Sequence, residues 1–241
     1  MTLQRPLLIL KTGSTHTPIR ERMGDFEDWI ADGLRAGGAE VRVHDALAGN
    51  APPPHGDVAG VVITGSHAMV SEREPWSEAL VPWLQASVRA QLPVLGICYG
   101  HQLLAHALGG QVDYNPAGRE SGTIRLELDP AAAGDPLFAG LPTSFAAQAT
   151  HLQTVLRAPD GATVLARSAQ DGCHAFRWGD NAWGLQFHPE FATHHMRGYV
   201  RARADCIARH GGCARTVSRQ VSAAPQARQL LRRFVRHARA M

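Results

Sequence analysis

The chain has 241 residues, of which 44% are hydrophobic and 19% are charged. This length suits one large domain, or one domain with an appended segment, and the composition is that of an ordinary globular protein. The apolar runs, such as 6–10 and 60–63, are far too short to span a bilayer, and the N-terminus lacks the layout of a secretion signal, so we expect no membrane partner.

The distribution of charge and the cysteines indicate how the chain is organised and where the protein is located. The formal net charge is +3, yet no acidic residue follows Asp205 and seven arginines lie in 215–241, which leaves residues 1–214 with about four net negative charges. We therefore expect a mildly acidic main domain and a basic tail. The four cysteines form no C-x-x-C pair, which indicates reduced thiols and a cytoplasmic location.

The first hundred residues alternate predicted strands with predicted helices. Short apolar runs predict strands at 6–12, 39–46, 60–64 and 93–97, and helical spacing of apolar residues predicts helices at 24–34 and 76–90. This alternation predicts a parallel sheet joined by right-handed crossovers, with helices on both faces. Active sites in such sheets lie at the carboxyl ends of the strands, where 64–66 and Cys98 are found.

The second half is richer in predicted strands. They lie at 123–128, 163–168, 173–178 and 183–187, with a hairpin turn at 179–181. A long helix is expected from about 191 to 209. A further helix at 223–239 is amphipathic: six apolar residues fall on one face and the arginines on the other (Ala227, Leu230, Leu231, Phe234, Val235, Ala238).

The pentapeptide Gly96-Ile97-Cys98-Tyr99-Gly100 stands between the strand at 93–97 and a predicted helix over 101–108. This arrangement follows the logic of the nucleophile elbow, with sulfur in place of oxygen. We expect the two glycines to allow a tight turn and to leave room for substrate beside the sulfur. The helix N-terminus favours the thiolate form of Cys98.

A cysteine nucleophile needs a base and a group that orients the base. The segment 183–190 supplies both, because His188 follows a predicted strand, Pro189 stops that strand, and Glu190 lies within reach of the imidazole. Cys98, His188 and Glu190 therefore form a candidate catalytic triad.

The motifs G-I-C-Y-G-H-Q and Q-F-H-P-E together resemble those of the class I, triad-type glutamine amidotransferases. Tyr99, 119–122 and 149–155 resemble the branch that includes the amidotransferase domain of GMP synthase. The resemblance covers about residues 5–200 and implies an α/β, flavodoxin-like fold with a central, mostly parallel sheet flanked by helices and a strand-rich second half. We assign residues 1–212 to the amidotransferase domain and 213–241 to a basic helical extension.

The resemblance also implies roles at the site. Tyr99 and Gly65 would supply the backbone N–H groups of an oxyanion hole, although the loop 64–67 departs from the Gly-Gly-Pro-like sequence of the family. Gln102, Thr150 and His151 would hold the substrate. For the pair Arg119-Glu120 the sequence indicates only an ion pair in a loop.

Three functions stay open at this point. The protein could hydrolyse glutamine and pass ammonia to a separate synthetase partner, since 210–241 is too short to bind and activate an acceptor. It could instead act alone on a γ-glutamyl amide or peptide. Third, it could be a regulatory subunit without catalytic activity, but the intact triad argues against this function.

The sequence also bears on other ligands. We expect no metal site, because His101 and His106 do not share a helix face and no H-E-x-x-H or C-x-x-C is present, and we expect no cofactor. The helix at 223–239 could dock on the main domain, contact a partner protein, or bind nucleic acid or an anionic membrane, although no nucleic-acid motif supports the last reading. The oligomeric state is not indicated.

Overall fold

The computed structural model describes residues 5–209 and 211–241. The strands are β1 (Leu7–Lys11), β2 (Val41–Asp45), β3 (Gly60–Ile63), β4 (Val94–Ile97), β5 (Gln111–Tyr114), β6 (Glu120–Leu128), β7 (Ser144–His151), β8 (Gln153–Arg157), β9 (Ala162–Arg167), β10 (Ala175–Trp178) and β11 (Ala182–Leu185). The helices are α1 (Thr17–Met23), α2 (Phe26–Arg35), α3 (Pro75–Glu78), α4 (Val81–Arg89), α5 (Tyr99–Ala107), α6 (Thr193–Ala202), α7 (Ala204–Arg209), α8 (Ala214–Gln220) and α9 (Pro225–Arg239).

Nine strands form one central sheet in the order β2-β1-β3-β4-β11-β10-β9-β6-β7. The five strands from β2 to β11 are parallel, and the remaining four run alternately antiparallel. Strands β5 and β8 pair as a separate two-stranded sheet. The predicted α/β class, with its parallel first half and strand-rich second half, is confirmed. Because β4 and β11 are parallel neighbours, the cysteine that follows one and the histidine that follows the other leave the sheet at the same edge.

Helices cover both faces of this sheet. On one face, α2 and α9 pack on apolar residues of the strands, and on the other face α4 and α5 do the same. Strands β3, β4 and β11 are buried along their whole length, as expected for parallel strands between two helical layers. The sheet therefore forms a rigid support for groups at its edge.

Helix α2 forms where the apolar spacing predicts it. Asp25 caps its N-terminus in a capping box with Asp28, so the helix begins at Phe26 rather than at Gly24. The predicted apolar residues are all buried (Phe26, Trp29, Ile30, Leu34).

Helix α9 packs on the main body through the six apolar residues predicted to share one face, each at most 6% exposed. It lies close enough to α2 for Leu231 to occupy the space that a Cβ on Gly33 would need, 2.3 Å away. The sequence left docking on the main domain, contact with a partner protein, and binding to nucleic acid or a membrane as possible roles of this segment. The apolar face of α9 docks on the main domain.

Two helices predicted as continuous are interrupted. The span 76–90 divides into α3 and α4, since Pro82 in the first turn of α4 has no N–H to continue the hydrogen-bond ladder. The span 191–209 divides into α6 and α7 at Arg203, whose φ of −109° leaves the helical range. No helix in the described part of the chain has the length and apolar character needed to cross a bilayer.

Candidate active site

Cys98 stands at the junction of β4 and α5. Its backbone has φ 51° and ψ −100°, a conformation that L residues rarely adopt and that costs about 1–3 kcal/mol. This strained turn is the geometry of a nucleophile elbow. It places the thiol at the N-terminus of α5, as the sequence predicts.

The glycines on either side of Cys98 serve backbone packing. A Cβ on Gly96 would lie 2.3 Å from the carbonyl oxygen of Gly100, and a Cβ on Gly100 would lie 2.5 Å from that of Ile63. The expectation that these glycines also leave room for substrate beside the sulfur stays a prediction. The two glycines permit the close approach of strand, helix and the neighbouring strand β3.

The loop after β3 is tied to this elbow. The N–H of Gly100 donates to the carbonyl oxygen of Thr64 at 3.1 Å, and a Cβ on Gly65 would lie 3.3 Å from Cε1 of His188. Among the described residues, no acceptor is found for the backbone N–H of Gly65 or of Tyr99. Two unpaired N–H groups thus belong to the segments that meet at Cys98.

His188 lies beyond the end of β11, which stops at Leu185 rather than at Phe187. Its backbone N–H donates to the carbonyl oxygen of Gln148 at 2.8 Å, and its Nδ1 lies 2.7 Å from Oε1 of Glu190. The ring stacks on Phe191 with 4.2 Å between centroids. These contacts fix the orientation of the imidazole and leave Nε2 for another partner.

The charges of Cys98, His188 and Glu190 stabilise one another. Burial raises the pKa of the Cys98 thiol, but the charge of His188 and a hydrogen bond with it outweigh that effect, so the pKa is lowered. Burial lowers the pKa of His188, whereas Glu190 and the Cys98 thiolate raise it by more, to about 10. Mutual stabilisation of this kind is typical of a thiolate–imidazolium pair.

A single pocket brings together Cys98, Tyr99, Gln102, His188 and the segment 150–153. Thr150 and His151 thus line the same pocket as Cys98, and their role in holding the substrate stays a prediction. Gly65 and Glu190 are not part of the pocket wall: Glu190 lies behind His188, and Gly65 borders the ring from the β3 loop.

Gln102 is buried on α5, and its side chain is held firmly. Its Nε2 donates to the carbonyl oxygen of Gln153 at 2.8 Å and to Oε1 of Gln186 at 2.9 Å. Both donor positions of the amide are therefore used, which leaves Oε1 of Gln102 as its acceptor.

Glu120 is part of a buried polar cluster, and the sequence-based assignment of Arg119-Glu120 to a loop ion pair is wrong. Glu120 begins β6, and its carboxylate accepts hydrogen bonds from three side chains: His151 Nε2 at 3.0 Å, His174 Nε2 at 2.6 Å and Ser168 Oγ at 2.8 Å. Sequence reasoning missed this cluster because its members lie on β6, β7 and the segments around β10.

The contacts of His151 determine its protonation. Nδ1 faces the carbonyl oxygen of Gln153 at 3.0 Å and Nε2 faces the Glu120 carboxylate, so both nitrogens must donate and the ring is an imidazolium. Burial lowers the pKa of His151, but Glu120 and Asp171 raise it by more. This second cation also helps to lower the pKa of Cys98.

Glu120, His151 and His174 also have ligand atoms within 4.8 Å of one another, the spacing of a metal site. In this structure both imidazoles point a nitrogen at the same carboxylate oxygen, an arrangement that hydrogen bonds explain. The absence of a metal stays a prediction.

Two arginines also line the pocket: Arg119, just before β6, and Arg203, just after α6. The sequence motif drew attention to Arg119 without a role. Nothing in the sequence distinguishes Arg203 from the other arginines, since its place depends on the interruption between α6 and α7.

The sequence and the fold of this chain also match those of known proteins. The family described as glutamine amidotransferase class-I matches residues 22–203. The glutamine-hydrolyzing GMP synthase of Thermomicrobium roseum is 44% identical over 134 residues, which are 55% of this chain and 23% of that protein. One subunit of the glutamine-hydrolyzing GMP synthase of Methanopyrus kandleri is 39% identical over 133 residues, which are 55% of this chain and 66% of that one.

A solved structure shares the fold. The crystal structure of a glutamine amidotransferase from Thermotoga maritima matches with a TM-score of 0.78 over 98% of this chain and 99% of that one, at 22% identity. The matched region covers about a quarter of the length of the first GMP synthases compared.

Proposed function

The chain belongs to the class I glutamine amidotransferase family, and from this membership we propose that it hydrolyses the side-chain amide of glutamine through a thioester on Cys98. The observation that carries the proposal is the convergence of Cys98 and His188 at one pocket, with Glu190 hydrogen-bonded to the far side of the imidazole.

In the proposed reaction, the Cys98 thiolate attacks the amide carbon of glutamine. His188 gives its proton to the departing ammonia, and the C–N bond breaks as the γ-glutamyl thioester forms. Water, deprotonated by the same imidazole, then attacks the thioester and releases glutamate and the thiol. Glu190 orients the ring and stabilises its charge, a role supported by the 2.7 Å contact at Nδ1.

We propose that the N–H groups of Tyr99 and Gly65 stabilise the oxyanion. Tyr99 supports this role as the first residue of α5, where an N–H has no acceptor within the helix. Gly65 supports it because its loop is bonded to the elbow through Thr64 and Gly100. Loss of one such donor costs about 10²–10³ in rate.

We propose that Gln102, Thr150 and His151 hold the glutamine substrate. Oε1 of Gln102 is an acceptor suited to a substrate N–H, and its amide is held by two hydrogen bonds. The His151 imidazolium adds a positive charge to the same wall. The reaction needs a reduced Cys98, which fits the cytoplasm.

The extension 213–241 is proposed to support the site from behind. Arg228 of α9 donates from Nη1 to the backbone carbonyl oxygen of Glu190 at 3.3 Å. A helix that packs on α2 and also contacts this carbonyl would limit the movement of the residue that orients His188.

We propose that the ammonia passes to a separate acceptor-activating enzyme. The relative from Methanopyrus kandleri supports this, because its name describes one subunit of a GMP synthase. If such an enzyme exists, adding an extract of the source organism should make the amount of glutamate released exceed the amount of free ammonia, because the acceptor enzyme consumes the ammonia. Equal release of both products in every condition would argue against the partner.

The main test measures glutamate released from glutamine. Cys98→Ala should abolish turnover, and His188→Asn should reduce it by about 10²–10⁴. Cys213→Ala, which changes an exposed thiol outside the pocket, is the matched control and should keep the activity. If the unchanged protein releases no glutamate from glutamine or from any γ-glutamyl amide, the reading as an idle regulatory subunit replaces the proposal.

A further inference from the structure

The segment that follows β3 forms one wall of the pocket and is hydrogen-bonded to the rest of the chain at both of its ends. We call residues 64–71 the pocket loop, of which residues 66–69 line the pocket beside Cys98. At the first end, the carbonyl oxygen of Thr64 accepts from the N–H of Gly100 at 3.1 Å and from Oγ1 of Thr12 at 3.0 Å. This end is therefore tied to the elbow and to the segment after β1.

The middle of the pocket loop has little such support. Within the described ranges 5–209 and 211–241, one hydrogen bond joins residues 66–70 to parts of the chain outside 64–73. It lies between Nε2 of His67 and Oη of Tyr199 and is long, at 3.4 Å. Val70 is buried, but apolar packing is not directional and does not aim a backbone N–H at a given point. The orientation of residues 65–70 therefore depends on how the two ends are held.

At the second end, Ser71 and Gln153 form a reciprocal pair. The side-chain Nε2 of Gln153 donates to Oγ of Ser71, and the backbone N–H of Ser71 donates to Oε1 of Gln153 at 3.3 Å. Gln153 is only 1% exposed, so water does not compete for its amide. A buried polar group that loses its partner is costly, and the pair therefore favours one position of this end of the loop.

The backbone of Gln153 holds a different part of the pocket. Its carbonyl oxygen accepts from Nε2 of Gln102 at 2.8 Å and lies 3.0 Å from Nδ1 of His151. The side chain of Gln153 thus acts on the pocket loop, whereas its carbonyl group acts on two side chains that we propose hold the substrate. A substitution changes the first function and leaves the backbone carbonyl in place, so the two functions can be separated.

We propose that Gln153 is a positioning residue, whose side chain holds the pocket loop through Ser71 so that the N–H of Gly65 faces the carbonyl oxygen of a substrate bound at Cys98. The inference rests on the proposed thioester chemistry and on the proposed oxyanion role of Gly65. Negative charge develops on that oxygen only as the thiolate attacks, so a displaced donor weakens stabilisation of the transition state more than binding of glutamine.

The test compares Ser71→Ala, Gln153→Met and the double variant by glutamate release from glutamine. Each rate is divided by the amount of Cys98 that reacts with an alkylating agent, so that unfolded protein does not count. We expect kcat to fall about 10–100-fold in each single variant, with KM changed by less than about threefold. The double variant should be no slower than the slower single variant, because both substitutions break the same contact.

Two further variants distinguish positioning from a general loss of structure. Ser71→Thr keeps the hydroxyl group and the backbone N–H, and its kcat should stay within about threefold of wild type. Gln85→Met is the matched control: it removes a half-buried glutamine amide that donates to the carbonyl oxygen of Ala107, outside the pocket, and should leave kcat unchanged. Hydrogen exchange of the amides at 65–70 should quicken in Ser71→Ala and Gln153→Met but not in this control.

The outcomes separate this inference from the proposed function. Wild-type kcat in Ser71→Ala, losses that add in the double variant, a loss confined to KM, or unchanged exchange at 65–70 would each overturn the inference and leave the Cys98 chemistry in place. A wild-type protein that releases no glutamate would remove the proposed function and the inference together. Non-additive loss of kcat, with activity retained in Ser71→Thr, would support it.

Discussion

Replacement of Glu120 by glutamine tests the buried cluster most directly. The side chain is 6% exposed, and its carboxylate accepts from His151, His174 and Ser168. Glu120→Gln keeps the size of the side chain and removes its charge. The His151 imidazolium then loses the anion that holds its second proton.

The expected cost follows from the burial of this pair. Removing one partner of a buried ion pair costs about 3–5 kcal/mol, because the other charge is left without compensation. For a chain of this size, each kcal/mol lowers Tm by about 2–4 °C. We therefore expect Tm to fall by about 6–20 °C near pH 6.

The pH dependence has a defined sign. Burial raises the pKa of Glu120, but the hydrogen bonds and charges of His151 and His174 outweigh it and lower the pKa from 4.5, so the contribution of Glu120 is present above pH 4.5 and is lost as the pH falls through the folded value. The pKa of His151 is raised from 6.5, so its contribution is complete below pH 6.5 and is lost as the pH rises toward the folded value. The stability difference between wild type and variant should therefore be largest between pH 4.5 and 6.5 and should narrow at higher pH.

Chemical denaturation at pH 5.5 and pH 9 measures the difference in the free energy of unfolding between wild type and Glu120→Gln. The rate of alkylation of Cys98, followed by peptide mass spectrometry, measures the thiolate fraction. Loss of the His151 charge should raise the pKa of the thiol and slow alkylation near neutral pH. Ser168→Ala removes one uncharged donor to the same carboxylate and the acceptor of the backbone N–H groups of Gln170 and Asp171, and it should cost about 1–3 kcal/mol with little difference between pH 5.5 and pH 9. A Glu120→Gln variant with unchanged stability, or with a loss that does not vary with pH, would refute an ionised Glu120–His151 pair.

Three further changes test other parts of the molecule. Glu190→Gln should lower the pKa of His188 and reduce glutamate release by at least about 10²-fold, with the alkaline limb of the rate profile moved to lower pH; an unchanged profile would exclude Glu190 as the partner of the ring. Gly100→Ala should destabilise the fold by about 3 kcal/mol or more in denaturant titration, because its Cβ would meet a backbone oxygen, whereas Gly134→Ala has open space and should change stability little. Phe234→Ala should cost about 3–5 kcal/mol in a single transition if α9 unfolds with the sheet, and an early separate transition would contradict that cooperation.

Sequence reasoning worked where a local pattern decides the structure. Helix α2 has four apolar residues on one face and a capping aspartate, and the pattern around Cys98 determines a strand, a turn and a helix within a few residues. It failed for β7, which is rich in alanine and has little intrinsic preference for a strand. This strand exists because its backbone pairs with β6 along eight positions, a contact that no local pattern records.

The sequence by itself determined the parallel core and the placement of the proposed triad Cys98, His188 and Glu190, because each depends on a short motif beside a buried strand. Tertiary structure alone decided which groups surround them. Glu120 meets His151 through the pairing of β6 with β7, and Arg119 and Arg203 line one pocket because α6 ends there. The physical reason is that short motifs determine backbone conformation, whereas the charge state and polarity of a pocket depend on side chains that only packing brings together.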